Sequence, residues 1–172
     1  MRALTLCGTS AAAITLLTFP TITLPPGTAG ANPGANGNTR VVLDATLRNC
    51  DFSLARTPPA VPSPMLGTGW VDIHHTGSSA VAEVHLDAPN DPGTHYNVGL
   101  IEEPRPSSAT CGPGAAGTAF TGLDTDAAGV GTTTVQDSLQ SGTTGVWVII
   151  ERANPHSQDP AEYYTSEFLA SV

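Results

Sequence analysis

The chain has 172 residues, with 15 acidic residues against 6 basic ones and a formal net charge of −9. This balance excludes charge-driven binding to nucleic acid or to anionic lipid, because phosphate groups attract basic surfaces. All the basic residues are arginine, and the absence of lysine excludes Schiff-base chemistry and a phosphate-binding loop of the usual kind. Apolar residues make up 40% of the chain, which is sufficient for one folded domain.

Residues 1–31 have the three parts of a secretory signal peptide. Arg2 supplies the positive start, residues 3–24 form an uncharged apolar run, and residues 29–31 (Ala-Gly-Ala) are a small-residue cleavage site. We expect cleavage before Asn32 and no stable membrane insertion afterwards. The alternative is an uncleaved membrane anchor, which the glycine and prolines of this segment disfavour. Cys7 precedes the apolar core and is therefore not expected to carry a lipid.

Two cysteines, Cys50 and Cys111, remain after this cleavage. Disulfides form and persist in exported proteins, so we expect the two to pair. Their distance in the sequence lacks the C-x-x-C spacing of redox-active thiols, and the expected role of the bond is structural.

The exported part of the chain begins with a segment without apolar periodicity. Residues 32–39 are rich in Gly, Asn and Pro, which predicts a flexible tail followed by a folded domain over residues 40–172. Four prolines within residues 53–67 predict an extended surface connection there.

Alternation of apolar and polar residues in the folded domain predicts eight short strands. They cover residues 41–48, 69–75, 80–86, 96–101, 118–123, 130–136, 145–152 and 163–172.

Turn signals join some of these strands. Residues 76–79 predict a hairpin between the second and third strands, and residues 124–129 a further hairpin between the fifth and sixth. Residues 145–152 are apolar on both faces, which is typical of a central strand covered on both sides. Without any helical period, the pattern predicts a single antiparallel β-sandwich of immunoglobulin-like or jelly-roll type with about seven to eight strands, its topology left open.

The first hairpin carries the one local cluster of metal-ligand side chains. Its turn length sets Asp72 opposite Glu83, with His74 and His85 two residues further along each strand. Such a set suits zinc or copper. The two imidazoles are too far apart for one ion, so a site would use both acids and one histidine. The favoured alternative is that His85 packs on Trp70 and that His74 screens Glu83.

Motifs for catalysis are missing from the sequence. It contains neither a G-x-S-x-G elbow nor an H-E-x-x-H helix, and no catalytic residue is assigned. Asp124, Asp126 and Gly129 resemble the start of a calcium loop, but later ligands are absent and a β-turn is the better interpretation.

The lysine-free composition, the GTGWVDI hairpin, the TDAAGVG turn and the GTTGVWVIIER strand resemble the small secreted proteins of unknown function found in mycobacteria and related actinobacteria. The resemblance implies an exported β-rich protein of the cell envelope or the extracellular fluid. It brings no catalytic residues.

These observations favour a non-enzymatic binding module whose partner is a protein or a glycan of the cell envelope. Exposed aromatic residues beside the loops, such as Trp70, Tyr163 and Tyr164, would support this function. The alternative function is an exported zinc- or copper-binding protein that uses the histidine-rich hairpin.

Overall fold

The computed structural model describes residues 38–55, 67–156 and 160–172. The expected signal peptide, residues 32–37 of the expected tail and most of the proline-rich connection lie outside these ranges. Within them, the chain contains no helix that is long and apolar enough to cross a membrane.

Antiparallel β-strands make up the secondary structure of the described chain, as the sequence predicts. The nine strands are β1 (Asn38–Asp44), β2 (Thr68–Thr76), β3 (Ser79–Asp87), β4 (His95–Glu103), β5 (Thr118–Asp124), β6 (Val130–Ser138), β7 (Gly145–Arg152), β8 (Glu162–Ser166) and β9 (Ala170–Ser171).

The strands form one sheet in the order β5-β4-β7-β8-β1-β2-β3-β6, and β9 pairs with β7 beyond the end of β8. The fold is therefore all-β, but the sheet is single and nearly closed and not a clear sandwich. β8 causes this difference, because it pairs with β7 at Thr165↔Ile149 and with β1 at Ser166↔Leu43. One strand thus joins the halves that a sandwich would keep apart.

The first predicted hairpin is confirmed, and the second is wrong. β2 and β3 pair in the predicted register, with Asp72 opposite Glu83. β5 instead pairs with β4 and β6 pairs with β3, so the two strands lie at opposite edges of the sheet. The predicted turn between them does form, since Oδ1 of Asp126 accepts the N–H of Val130 at 3.0 Å. Gly129 has φ +83° there, and a Cβ at this position would lie 2.2 Å from the Ala88 carbonyl oxygen.

Strand boundaries differ from the predictions mainly at the two ends of the domain. β1 begins at Asn38, inside the expected tail, because Asn38 and Thr39 pair with His74 and Ile73. The last predicted strand is divided into β8 and β9.

β7 is covered on both faces, as its sequence predicts. Val146, Val148 and Ile150 point into the main core, which lies inside the curved sheet. Trp147 and Ile149 point outward and pack with Ile101 in a second, smaller core.

Two loops cover this outer core. Phe52, from residues 45–55, and Cys111, from residues 104–117, pack against it. The expected Cys50–Cys111 bond joins the two loops, with the sulfur atoms 2.11 Å apart and the Cα atoms 5.4 Å apart. We refer to residues 45–55 and 104–117 together as the disulfide-linked cover.

Candidate functional site

The outer surface of β1, β2, β3 and β6 carries two rows of side chains that run across all four strands. We call this surface the Trp70 face. Its first row is Val42, Trp70, His85 and Thr132, and its second row is Arg40, Asp72, Glu83 and Thr134.

Strand alternation places these residues outside the core. Their neighbours along the strands, such as Val41, Val71 and Val84, are completely buried inside the sheet. On the outer side, Val42 is 55% exposed and Trp70 is 36% exposed. Large apolar side chains are thus presented to solvent among polar ones.

Trp70 is held in place from two directions. Its ring stacks on His85, with the ring centroids 4.9 Å apart and the planes inclined by 12°. This contact confirms the expected packing of His85 on Trp70. The Arg40 guanidinium lies 5.6 Å from the centroid of the Trp70 ring, within the range of a cation–π interaction.

Arg40 also binds Asp72 through two hydrogen bonds. Nε donates to Oδ1 at 2.8 Å and Nη2 donates to Oδ2 at 2.6 Å. These hydrogen bonds, together with the charge of Arg40, hold the pKa of Asp72 below its usual range. The carboxylate is thereby kept ionised and fixed between β1 and β2.

The hydrogen bonds between Asp72 and Arg40 weaken the hypothesis of a metal site on this hairpin. The four residues Asp72, His74, Glu83 and His85 do lie on the predicted face, but both Asp72 oxygens already contact Arg40. In the part of the chain that the structure describes, no three His, Cys, Asp or Glu side chains are grouped so as to hold an ion. A preformed ligand set for zinc or copper is therefore not among the described residues.

A groove of about 330 Å³ lies over β3 and β6, on the Trp70 face. Glu83 and His85 line one wall, and residues 132–134 line the other. His85 thus separates the Trp70 ring, on which it stacks, from the groove. The lining supplies one carboxylate, one imidazole and two exposed threonine hydroxyls, those of Thr132 and Thr134.

The other aromatic residues expected to serve binding are less accessible. Tyr163 is half-buried, and Tyr164 is completely buried. The expectation for Tyr164 is therefore wrong, because its hydroxyl donates to Oε1 of Glu162 inside the protein.

This Glu162 belongs to a buried polar network that the sequence analysis did not find. Its Oε2 accepts the hydroxyl of Tyr96 at 3.1 Å and lies 3.3 Å from Nε of Arg152. Arg152 also contacts Asp91, at 3.4 Å. Burial is the main cause that raises the pKa of both Tyr96 and Tyr164 above the usual range. The network pairs buried polar groups of the core, although Nε of Arg152 has no hydrogen bond among the described residues.

The remaining histidines lie on the surface. His75 and His156 are exposed, and Nδ1 of His95 lies 2.7 Å from Oδ1 of Asp124. None of them belongs to the Trp70 face.

Four residues of the Trp70 face are not among the residues that the sequence analysis names, and one of them is Val42. Arg40 and the pair Thr132 and Thr134 belong to β1 and β6, whose neighbours in the sheet are set by contacts distant in sequence. Thr132 and Thr134 alternate with more buried residues along β6, and this pattern indicates that both face outward. No local pattern indicates that β6 lies beside β3.

The fold and the site together define a disulfide-bonded all-β protein with a polar groove and a fixed aromatic pair on one sheet face. Comparison of the chain with protein-family models, with curated proteins and with solved structures finds no match.

Proposed function

We propose that the protein is an exported, non-enzymatic binding module of the cell envelope or extracellular space, and that it binds a glycan on the Trp70 face. The observation that carries this proposal is the groove over β3 and β6, which combines a fixed aromatic wall with several hydrogen-bonding groups. Both features suit a polyol.

The polar groups of the groove match the hydroxyls of a sugar. The Glu83 carboxylate accepts hydrogen bonds only, whereas the hydroxyls of Thr132 and Thr134 both donate and accept. Sugar hydroxyls also donate and accept, and adjacent ones can pair with neighbouring groups of the groove. The strands fix the backbone positions of these groups, so no backbone ordering is needed on binding.

The aromatic wall matches the other side of a sugar ring. A pyranose has patches of C–H groups that pack against aromatic faces, and His85 offers such a face toward the groove. Trp70 stacks on the opposite side of His85 at 4.9 Å and restrains the imidazole. The restraint fixes the orientation of the wall before the ligand arrives.

A protein partner is the alternative occupant, and the surface favours it less. Stable protein interfaces have an apolar centre within a buried area of about 800 Å² on each partner. On the Trp70 face, the exposed large apolar side chains are Val42 and Trp70, and charged residues occupy the neighbouring row. The groove volume of about 330 Å³ is close to the lower end of small-ligand clefts.

Export is supported by two features of the chain. Residues 1–31 have the parts of a signal peptide, and Cys50 and Cys111 form a disulfide, which persists in oxidising compartments. Mass spectrometry of the protein recovered from the culture fluid or cell envelope tests this part of the proposal. The expected N-terminal residue is Asn32, and recovery of the uncleaved chain from the cytoplasm would contradict it.

Calorimetric titration of the purified protein with soluble hexasaccharides tests glycan binding. The panel contains β-linked and α-linked glucans, a mannan and a chitin fragment. We expect saturable binding of at least one of them. Thr132→Val combined with Thr134→Val keeps the shape of the groove and removes both hydroxyls, and we expect it to weaken binding at least tenfold.

Thr121→Val is the matched control, because Thr121 is half-buried in β5 and does not line the groove. It should leave the affinity unchanged. Failure of every hexasaccharide to bind, together with binding of an envelope protein that tolerates the double threonine variant, would contradict the proposal.

A further inference from the structure

A second cavity lies away from the Trp70 face, near the ends of β4 and β6 and the start of β5. Its volume is about 380 Å³. Three segments line it: residues 102–106 at the end of β4, residues 116–117 before β5, and residues 140–143 between β6 and β7.

Glu102 is a buried carboxylate in the wall of this cavity, with only 5% of its surface exposed. Its Oε2 accepts the backbone N–H of Gln140 at 3.0 Å and the hydroxyl of Thr143. Its Oε1 is buried and has no hydrogen-bond partner among the described residues. One half of the carboxylate is therefore fixed, and the other half lacks a donor.

Arg105 lines the same cavity and has hydrogen-bond donors without acceptors, whereas Glu102 has an acceptor without a donor. Its backbone N–H binds Glu103 at 2.8 Å, and Nη2 donates to the carbonyl oxygen of Ala116. Nε and Nη1 are buried and have no acceptor among the described residues. The guanidinium is thus held at Nη2, and its other two nitrogens lack a partner among the described residues.

The two groups do not satisfy each other, since no carboxylate of the described chain forms an ion pair with Arg105. Buried polar groups are nearly always hydrogen-bonded, and charged ones most of all. A molecule that bridges them must present an acceptor to Arg105 and a donor to Glu102. Opposite charges at its two ends would match both partners.

We propose that this cavity binds a small amino carboxylate, with its carboxylate at Arg105 and its ammonium group at Glu102. The guanidinium offers the N–H groups that a carboxylate accepts, and Oε1 of Glu102 accepts an N–H of the ammonium group. Positioned donors and acceptors of this kind in a small cleft are typical of small-molecule sites. The site is independent of the glycan site on the Trp70 face.

Titration followed by NMR tests the proposal on the full exported domain with its disulfide intact. The probes are glycine, β-alanine and 4-aminobutanoate, which differ in the distance between their charged ends, with acetate and methylammonium as single-charge controls. We expect one amino carboxylate to saturate the protein and to shift the amide signals of Gly117, Gln140 and Gly142. The single-charge probes should bind at least tenfold more weakly.

Glu102→Gln tests the role of Oε1 of Glu102 most specifically. The amide oxygen can keep the hydrogen bond from Gln140, while the amide NH₂ replaces the acceptor at Oε1 with a donor. Binding of the amino carboxylate should fall at least tenfold, and Arg105→Gln should have a similar effect. Glu83→Gln and Arg40→Gln make the same charge changes on the Trp70 face and should leave this binding unaffected.

Two results would overturn the proposal. One is the absence of shifts at the cavity amides of the wild-type protein with every probe at tens of millimolar, a measurement that does not depend on how the variants fold. The other is a crystal structure, soaked with these probes, in which only ordered water binds Oε1 of Glu102 and the Arg105 guanidinium.

Discussion

The indole N–H of Trp147 donates a hydrogen bond to Oε1 of Glu103 over a distance of 3.1 Å. Oε2 of the same carboxylate accepts the backbone N–H of Arg105 at 2.8 Å. Both Trp147 and Glu103 are buried, and desolvation raises the pKa of Glu103 above its usual range in spite of the two hydrogen bonds. One carboxylate thus connects β7 with the chain that follows β4.

We expect Glu103→Gln to reduce the free energy of unfolding by about 1–3 kcal/mol. An amide has a single acceptor oxygen, so either the indole N–H or the backbone N–H would face an NH₂ group. Urea unfolding at neutral pH measures the loss. Glu151→Gln is the control, because burial alone raises the pKa of Glu151, and removing its charge should not destabilise the protein. Equal losses in the two variants would count against the role of the hydrogen bonds.

Removal of the disulfide should destabilise the domain and loosen the cover over Trp147. The bond joins residues separated by 61 positions, and loss of such a bond costs about 2–5 kcal/mol. Phe52 contacts the Trp147 ring at a centroid distance of 5.5 Å, so the double variant Cys50→Ser, Cys111→Ser should shift tryptophan emission toward that of exposed indole. Melting curves and emission spectra test this together. An unchanged melting temperature would show that the cover holds without the bond.

The buried tyrosines predict alkaline unfolding. Folding raises the pKa of Tyr96 and Tyr164, so both are protonated in the folded protein where an unfolded chain would ionise them. Their contribution to stability is fully present below pH ~10, the usual pKa of tyrosine, and is lost as the pH rises above it.

Ultraviolet absorbance of phenolate measures this effect. The chain has three tyrosines, and we expect two of them to ionise only when circular dichroism shows unfolding. Ionisation of Tyr96 and Tyr164 near pH ~10 with the sheet intact would contradict the buried network around Glu162.

Arg40 should control the acid titration of Asp72. Folding lowers the pKa of Asp72, so the pair contributes stability above pH ~4, and that contribution is lost as the pH falls through the folded pKa. In Arg40→Gln, the pKa of Asp72 should rise toward its usual value, which an NMR pH titration measures. Arg48→Gln is the control, because Arg48 instead bonds the carbonyl oxygens of Ser166 and Glu167. An unchanged Asp72 titration in Arg40→Gln would mean that other groups lower the pKa.

Local patterns predicted local structure well. The two-sided apolar run of residues 145–152 gave the correct bounds for β7, and the turn at residues 76–79 gave the correct register between β2 and β3. The stacking of His85 on Trp70 followed from that register. In each case the determining residues lie within a few positions of one another.

The joining of the two halves into one sheet depends on contacts that no local pattern specifies. β8 pairs with β7 at Thr165↔Ile149, which is close in the sequence, and with β1 at Ser166↔Leu43, which is distant in the sequence. The turn at residues 124–129 was predicted correctly, but a turn alone does not force its strands to pair. For the same reason, the placement of Arg40 against Asp72 and of Thr132 beside His85 became visible only in the folded chain.

The most direct test of the proposed function is to map a bound hexasaccharide on the isotope-labelled protein by NMR. If the Trp70 face is the glycan site, the amide and side-chain signals of Glu83, His85, Thr132 and Thr134 shift together, and so does the indole N–H of Trp70. Shifts confined to other surfaces, or none at saturating concentrations of every hexasaccharide in the panel, would contradict glycan binding at this face.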